Sequence, residues 1–503
     1  MAEASLESWS RAPAHVPAAD GRLPAIVWIY LAAVMTPVAF EVGPLFLTGL
    51  RVVLLVVMVP LTWRLLMGRY DRLYAADVLF LAHAGWVFLA LVVDDPGRAI
   101  QNGGIYAVEF YGGYVLARAT IRGPRRFSAL IRALVALALL TLPLTFHESL
   151  TGRPLVVEWI HRLPGLTSVD IISIPQRLGL ERVQSVFAHP IHYGLFTSSV
   201  FSLCYVGLVG QWGAARRILS AALVGLCCFL ALSSGAFLAL LMQLFLIGWA
   251  MALAGVKARW WLLIGMSVLA YVTVDLLSNR TPVRVFFSYA TFSAHNAYWR
   301  GIIFEWGMKN VNMNPFFGVG FGNWIRPSFM RSGSMDNFWL VMAVRFGYPG
   351  FLTIAAGYLW TMWRMSRLQF DADAVLWSYR RAWMFTFVGL TFTLCTVHIW
   401  TSVFSFVFFL FGAGMWMLAA VPGRGAEAAA SAEPASASRY ARFSRAAPAP
   451  AARPREGAAR VHSRPTPPAR PEEERSARAG PRRGPPPAEG LRRAPRPGPR
   501  ARR

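Results

Sequence analysis

Apolar residues in this chain come in long, nearly unbroken runs, not in the period-two alternation of strands or the narrow stripe of a soluble helix. Runs near 23–41, 44–63, 75–93, 101–118, 127–146, 189–209, 216–233, 236–254, 259–277, 337–363, 381–397 and 400–421 each approach the ~20 residues a helix needs to cross a bilayer. Ser233, Ser234 and Gly235 divide the 216–254 block, and His398 divides the 381–421 block. The pattern predicts an all-α integral membrane protein with about 12 transmembrane helices between 23 and 421. The segment 1–22 carries Glu3, Glu7 and Asp20 and no small-residue cleavage site after a short apolar core. The first run is therefore read as a retained helix, not a signal peptide.

Charge orients the bundle. Arg64, Arg69 and Arg72 follow the second run, and Arg118, Arg122, Arg125 and Arg126 the fourth. Arg216 and Arg217 follow the sixth, Lys257 and Arg259 the eighth, and Arg364, Arg367, Arg380 and Arg381 the tenth. The alternate set of short loops carries only Arg98, beside Asp94 and Asp95. The positive-inside rule puts the basic loops and both termini in the cytoplasm, and the long connections 147–188 and 278–336 outside.

Composition agrees: 503 residues, 55% hydrophobic and 15% charged, with a mean hydropathy of +0.43, exclude an ordinary soluble enzyme. Much of the net charge of +25 sits in a tail. From Arg424 onward 19 Arg stand against 7 Glu, a net +12 among Pro, Ala and Gly. Residues 422–503 are thus expected to be a disordered, basic cytoplasmic tail, either neutral or attracted to the anionic inner leaflet. No aromatic platform interleaves its charges, so nucleic acid is a poor partner. Cys204, Cys227, Cys228 and Cys395 lie in apolar runs and form no C-x-x-C pair, which suggests neither a zinc site nor a disulfide framework.

The outer connection 278–336 is aromatic, with Tyr298, Trp299, Phe304, Trp306, Phe316, Phe317, Phe321, Trp324 and Phe329 among others. A helical period over Ser293–Val311 ends at Asn314–Pro315, because the residue before proline avoids helical geometry. Gly318, Gly320 and Gly322 follow; alternating glycines permit either close approach of a ligand to the backbone or a sharp turn. Pro190 stands at the first turn of the sixth run, where its missing N–H costs nothing.

Four stretches carry a resemblance: Arg182…Phe187–Ala188–His189–Pro190; Ser233–Ser234–Gly235–Ala236; Arg300…Asn314–Pro315–Phe316–Phe317–Gly318–Val319–Gly320; and Asp336–Asn337–Phe338…Gly347–Tyr348–Pro349–Gly350. In order and spacing they resemble the O-antigen ligase/polymerase superfamily of membrane glycosyltransferases over about 180–350. The resemblance implies a bacterial inner-membrane enzyme that uses an undecaprenyl-diphosphate-linked glycan as donor, with no cofactor and no metal. It also implies outer-loop arginines that hold the diphosphate, with other polysaccharide-assembly proteins as partners. Many ligases carry His immediately before the Asn that opens the tenth span. Here that place is Asp336, which favours polymerisation of repeat units over transfer to lipid A–core.

The residue inventory suits such chemistry independently. Arginine's planar fork pairs phosphate oxygens, and a carboxylate or histidine can activate a hydroxyl. Arg177, Arg182, Arg284, Arg300, Arg326 and Arg331 are outer cations; Asp336, Glu305 and His295 are candidate bases. Arg182, Arg300 and Asp336 are the candidate catalytic residues. Arg177, His189, His295, Arg51, Arg345 and Asn337 are the candidates for substrate binding. Arg51 and Arg345 lie within apolar runs, where charge is costly and usually faces a cavity. Each has a plainer reading: Arg280, Arg284 and Arg326 meeting headgroups, Arg51 snorkelling or pairing with Glu109, Arg345 bound to a structural partner, Asp336 capping the tenth helix, and His189 acting as an interfacial hydrogen-bonder. His189 and His192 stand i, i+3, but no third ligand along the chain completes a metal site. A transporter is the rival class, disfavoured by the lack of matching inverted halves.

Reporter fusions after Gly68, Gly123 and Arg367 should read cytoplasmic, and fusions within 290–330 periplasmic. A cytoplasmic signal from 290–330 would overturn the orientation.

Overall fold

The computed structural model describes residues 21–43, 45–279, 285, 294–330, 332–370 and 373–420, the side chains of 45 and 294–297 excepted. The basic tail, the 1–20 segment, Arg280, Arg284 and Arg331 lie outside the described residues, as does the His295 side chain.

The chain is mostly helical. In order run α1 (Ala25–Met35), a hairpin of β1 (Ala39–Val42) and β2 (Leu45–Thr48), α2 (Gly49–Leu66), α3 (Ala75–Asp94) and α4 (Pro96–Ala107). A π-helical turn, Val108–Gly112, joins α4 to α5 (Gly113–Thr120). Then come α6 (Pro124–Thr151), α7 (Leu155–His161), α8 (Pro190–Tyr205), α9 (Ala214–Leu230), α10 (Ser234–Ala252) and α11 (Arg259–Leu277). The last are α12 (Ala294–Met313), α13 (Phe338–Ser366), α14 (Ala374–Leu394) and α15 (Thr401–Ala413), which continues as a 3-10 turn, Met415–Ala419. Among the described residues, seven helical segments are long and apolar enough to cross a membrane: α2, α3, α6, α10, α11, α13 and Thr401–Ala419.

The first apolar run departs from the expected span. Helix α1 covers 11 residues, roughly 16 Å at 1.5 Å per residue, too short to cross. Thr36 precedes Pro37 and has left helical geometry, at φ −123° and ψ 93°. The chain then pairs Ala39–Val42 with Leu45–Thr48 in antiparallel register. Ala39 also bonds Thr167, which ties the hairpin to the 147–188 connection.

A second departure shapes the site. The tenth run was expected as one continuous helix, but α13 breaks at Gly347, which adopts φ 68° and ψ −175°. A broken helix in an apolar bundle must find partners for its backbone groups. The glycine stretch of the preceding connection supplies them. Val319 N–H donates to Val344 O at 2.9 Å, Gly320 N–H to Arg345 O at 3.0 Å, and Tyr348 N–H to Pro315 O at 2.7 Å. Trp86 Nε1–H donates to Phe346 O at 2.9 Å from α3. Side chains at Gly318 or Gly347 would overlap the facing backbone, Arg345 for the first and Phe316 for the second. The alternating glycines thus serve close backbone-to-backbone approach.

The contacts make α12 parallel to the first half of α13. Gly307 packs on Leu340, and further along Gly318 packs on Arg345. Asn310 holds the return of the connection, accepting from Ile325 N–H at 2.8 Å and donating to Ile325 O at 2.7 Å. Elsewhere α8, α10 and α14 approach closely. A Cβ at Gly194 would overlap Ala236, and Thr393 Oγ1 donates to Gly235 O at 3.0 Å.

Gly347→Ala should lose the φ > 0 conformation and the backbone docking together. We expect destabilisation of more than about 1–3 kcal/mol, read as a lower thermal midpoint of the detergent-solubilised chain. An unchanged midpoint would mean the break is not required.

Candidate functional site

The parallel run of α12 on α13 brings Arg300 level with the start of α13. A tightly packed crevice, without interior room for a water molecule, is lined by Arg300, Ile303, Phe304, Asp336, Asn337, Leu340 and Cys395. Arg300 is half-buried, and its Nε and Nη1 are buried with no hydrogen-bond partner. Burial lowers its pKa, while the Asp336 carboxylate within electrostatic range opposes that and Arg177 reinforces it.

Arg177 and Arg182 come from the other long connection. Arg177 donates to Leu232 O at 2.7 Å, which docks its loop on the turn between α9 and α10. Arg182 has a buried Nε without a partner, and burial followed by the charge of Arg177 pushes its pKa down to about 10. Its loop is pinned from α6: Glu148 accepts Gln184 N–H at 2.8 Å and Ser185 N–H at 3.0 Å. Gln184 knits the same loop together, accepting from Ile172 N–H and donating to Asp170 O. Arg177 is thus within electrostatic range of both Arg182 and Arg300, which come from separate connections.

Hydrogen bonding sorts the arginines. Arg51 Nε lies 2.9 Å from Glu109 Oε1 and Arg51 Nη1 bonds Phe46 O, so Arg51 has the structural partner considered for it. Arg326 bonds Met330 O at 3.3 Å. Arg182 Nε and Arg300 Nε and Nη1, by contrast, are buried without a partner among the described residues; Arg345 packs its guanidinium over Phe321, 4.8 Å from the ring centroid.

Other candidates change role. Asn337, not Asp336, caps α13, its Oδ1 accepting Leu340 N–H at 3.1 Å. Asp336 is therefore not the cap. It accepts from Ser334 Oγ at 3.0 Å and faces Arg300 across the crevice. His189 caps α8, Nδ1 accepting Ile191 N–H at 3.1 Å, with Pro190 as the first helical residue. Glu305 pairs with Lys309 at 3.0 Å on an exposed face of α12, so it is committed as a counter-charge.

Spacing along the chain did not suggest His398. Phe338 N–H donates to Val397 O at 3.0 Å, and the Phe338 ring stacks on His398 with centroids 6.1 Å apart. Trp400 lies against both His192 (4.0 Å) and His398 (5.8 Å). A third histidine therefore joins His189 and His192 in space. Among the described residues no group of His, Cys, Asp or Glu is arranged to hold a metal ion.

The assembly is a set of partly buried guanidinium groups, Arg177 in electrostatic range of both Arg182 and Arg300, with the Asp336 carboxylate opposite Arg300 in a mostly helical protein with seven candidate membrane spans among the described residues. Such a cluster suits an anion with several oxygens, because the fork geometry satisfies two of them at once. Residues 219–355 match the family model described as O-Antigen ligase. The match covers about a quarter of the chain and is consistent with the O-antigen ligase/polymerase superfamily. No curated protein matches the chain. The matched stretch holds Arg300, Asp336 and Gly347; Arg182 and His398 lie outside it and are brought in by the fold.

Replacing Arg51 with Gln should strand the buried Glu109 carboxylate and cost about 3–5 kcal/mol, seen as poor accumulation in the membrane. Replacing Arg182 or Arg300 with Gln removes an uncompensated cation and should leave accumulation at or above wild type. Equal loss in all three would mean that Arg182 and Arg300 have structural partners as well.

Proposed function

We propose that this chain polymerises undecaprenyl-diphosphate-linked oligosaccharide repeat units at the periplasmic face of the bacterial inner membrane. The observation that carries the reading is Arg300 lining one crevice with Asp336, with Arg177 in electrostatic range of both Arg300 and Arg182 and with unpartnered nitrogens on both of those arginines among the described residues. In the proposed reaction an acceptor hydroxyl oxygen attacks the anomeric carbon of the donor sugar. The carbon–oxygen bond to the diphosphate breaks, and the electron pair leaves on the lipid diphosphate. Arg182 and Arg300 neutralise the charge that develops there, which is where preorganised donors contribute most to catalysis. Asp336 orients the hydroxyl or takes its proton. Arg177 holds the Arg182 loop and adds positive potential. Arg345 sits on the far wall beside His398.

Transfer of a finished polysaccharide to lipid A–core is the second reading, favoured by the description of the matched family. A polytopic transporter is the reading of another class. Its hallmark would be two broken helices in corresponding halves. Among the described residues α13 is the one long helix with a non-helical break, and the protein's own loop satisfies that break.

Deletion of the chain, followed by gel analysis of surface polysaccharide, separates the readings. Polymerisation predicts loss of long polymer with single repeats retained; ligation predicts lipid-linked polymer and a bare core. Restoration with Arg300→Lys should then fail, because Lys keeps the charge but not the two-pronged geometry. Full restoration by Arg300→Lys would remove the diphosphate clamp from that position.

A further inference from the structure

The linker between α14 and α15 holds a titratable group that the reading above leaves unused. His398 stands between the two walls of the site. On one side Phe338, the residue after Asp336 and Asn337, hydrogen-bonds Val397 and stacks its ring on His398. Cys395, three residues earlier in the same linker, lines the crevice with Arg300 and Asp336. On the other side is His192, one turn along α8 from His189, and His189 lies within electrostatic range of Arg182.

The ring is half-buried, and no hydrogen bond to either nitrogen is found among the described residues; Nδ1 is buried and lacks a partner. An imidazole that packs for structure alone normally satisfies at least one nitrogen with a carbonyl, as His83 does with Gly350 O at 2.9 Å and Tyr106 Oη at 2.8 Å. An imidazole with an unpartnered nitrogen, three residues from a crevice-lining residue and stacked on the residue after Asn337, is placed to exchange a proton with a hydroxyl brought to Asp336.

We infer that His398 is the general base that takes the proton of the acceptor hydroxyl, and that Asp336 orients that hydroxyl while balancing Arg300. This rests on the glycosyl-transfer reading and names a further catalytic residue for it. Asp336 lies opposite the Arg300 guanidinium, within electrostatic range but outside ion-pair contact, and accepts a hydrogen bond from Ser334 Oγ. Among the described residues no carboxylate faces His398; the titratable and charged groups set around it are Arg345 on α13 and His192 on α8. Burial, and then the charge of Arg345, push its pKa down to about 3, so the ring is neutral and its lone pair open at neutral pH. Donor diphosphate would offset Arg345 and raise the ring's proton affinity. Competence as a base would thus be coupled to donor binding. In the step the acceptor O–H bond breaks and its proton moves to the imidazole. The oxygen's electron pair forms the bond to the anomeric carbon, and the diphosphate departs with the pair of the broken bond. The imidazolium then returns the proton to solvent or to the departing diphosphate.

The test measures initial rates of polymer formation by the full-length chain, with membranes of the deletion strain as the source of lipid-linked glycan. His398→Gln should lower the rate by ~10²–10⁴, the usual loss for one general base. Its membrane abundance and thermal midpoint should match wild type, and Asp336→Asn should lose much less. Added imidazole should restore part of the rate of His398→Gly, which a packing role would not allow. Three results would overturn the assignment: His398→Gln within about threefold of wild type, the full loss falling on Asp336→Asn instead, or a folded His398→Gly that imidazole does not rescue. Arg300→Lys keeps the two failures apart. If it is inactive while His398→Gln is active, only the role of His398 falls; if both are fully active, the glycosyl-transfer reading itself falls.

Discussion

The site depends on one break in a helix. At Gly347 the backbone of α13 leaves helical geometry, and its orphaned groups are completed by residues 315–320. An apolar bundle tolerates such a break only where protein satisfies it. That docking fixes one end of the connection, and Gly307 against Leu340 fixes the middle. Together they force α12 parallel to α13, and this alignment sets Arg300 opposite Asp336. The same break leaves Arg345, two residues earlier, on the side of His398 and Phe321.

The second constraint is electrostatic. A guanidinium shielded from water without an acceptor is held at a cost. Two other buried arginines are paired: Arg51 with Glu109, and Arg118 with Asp77 and the Arg72 carbonyl. Arg182 and Arg300 are spared this pairing, and burial accordingly depresses both pKa values. On the proposed reading, binding a multivalent anion would relieve that penalty. Glu148 and Gln184 keep the Arg182 loop from collapsing onto solvent or lipid.

Much of this was legible in the sequence, and the rest was hidden for identifiable reasons. Long apolar runs report helices directly, and the helical period with Asn314–Pro315 marked α12 to within two residues. Ser233 and His398 were correctly read as interruptions, since polar residues in apolar runs rarely sit mid-span. The pairing of Arg51 with Glu109 was weighed because both stand in apolar surroundings. The β1–β2 hairpin was missed because its residues are as apolar as a span, and hydropathy does not distinguish strand from helix in short runs. The Gly347 break was missed because its stabilising partners lie about thirty residues away in sequence. A capping role was weighed for Asp336 beside its catalytic one, while Asn337, the residue that caps the helix, stood among the substrate-binding candidates; a one-residue difference of this kind is not resolved by composition. His398 was passed over because its neighbours in space, Phe338 and His192, are distant along the chain.

The central claim is that unpaired, buried arginines from two connections form a diphosphate site. Its most direct measurement is equilibrium binding of undecaprenyl diphosphate to the purified full-length chain, with the Arg182→Gln, Arg300→Gln double variant measured alongside. The account predicts saturable binding that the double variant loses while remaining folded. Undiminished affinity in the double variant would contradict it.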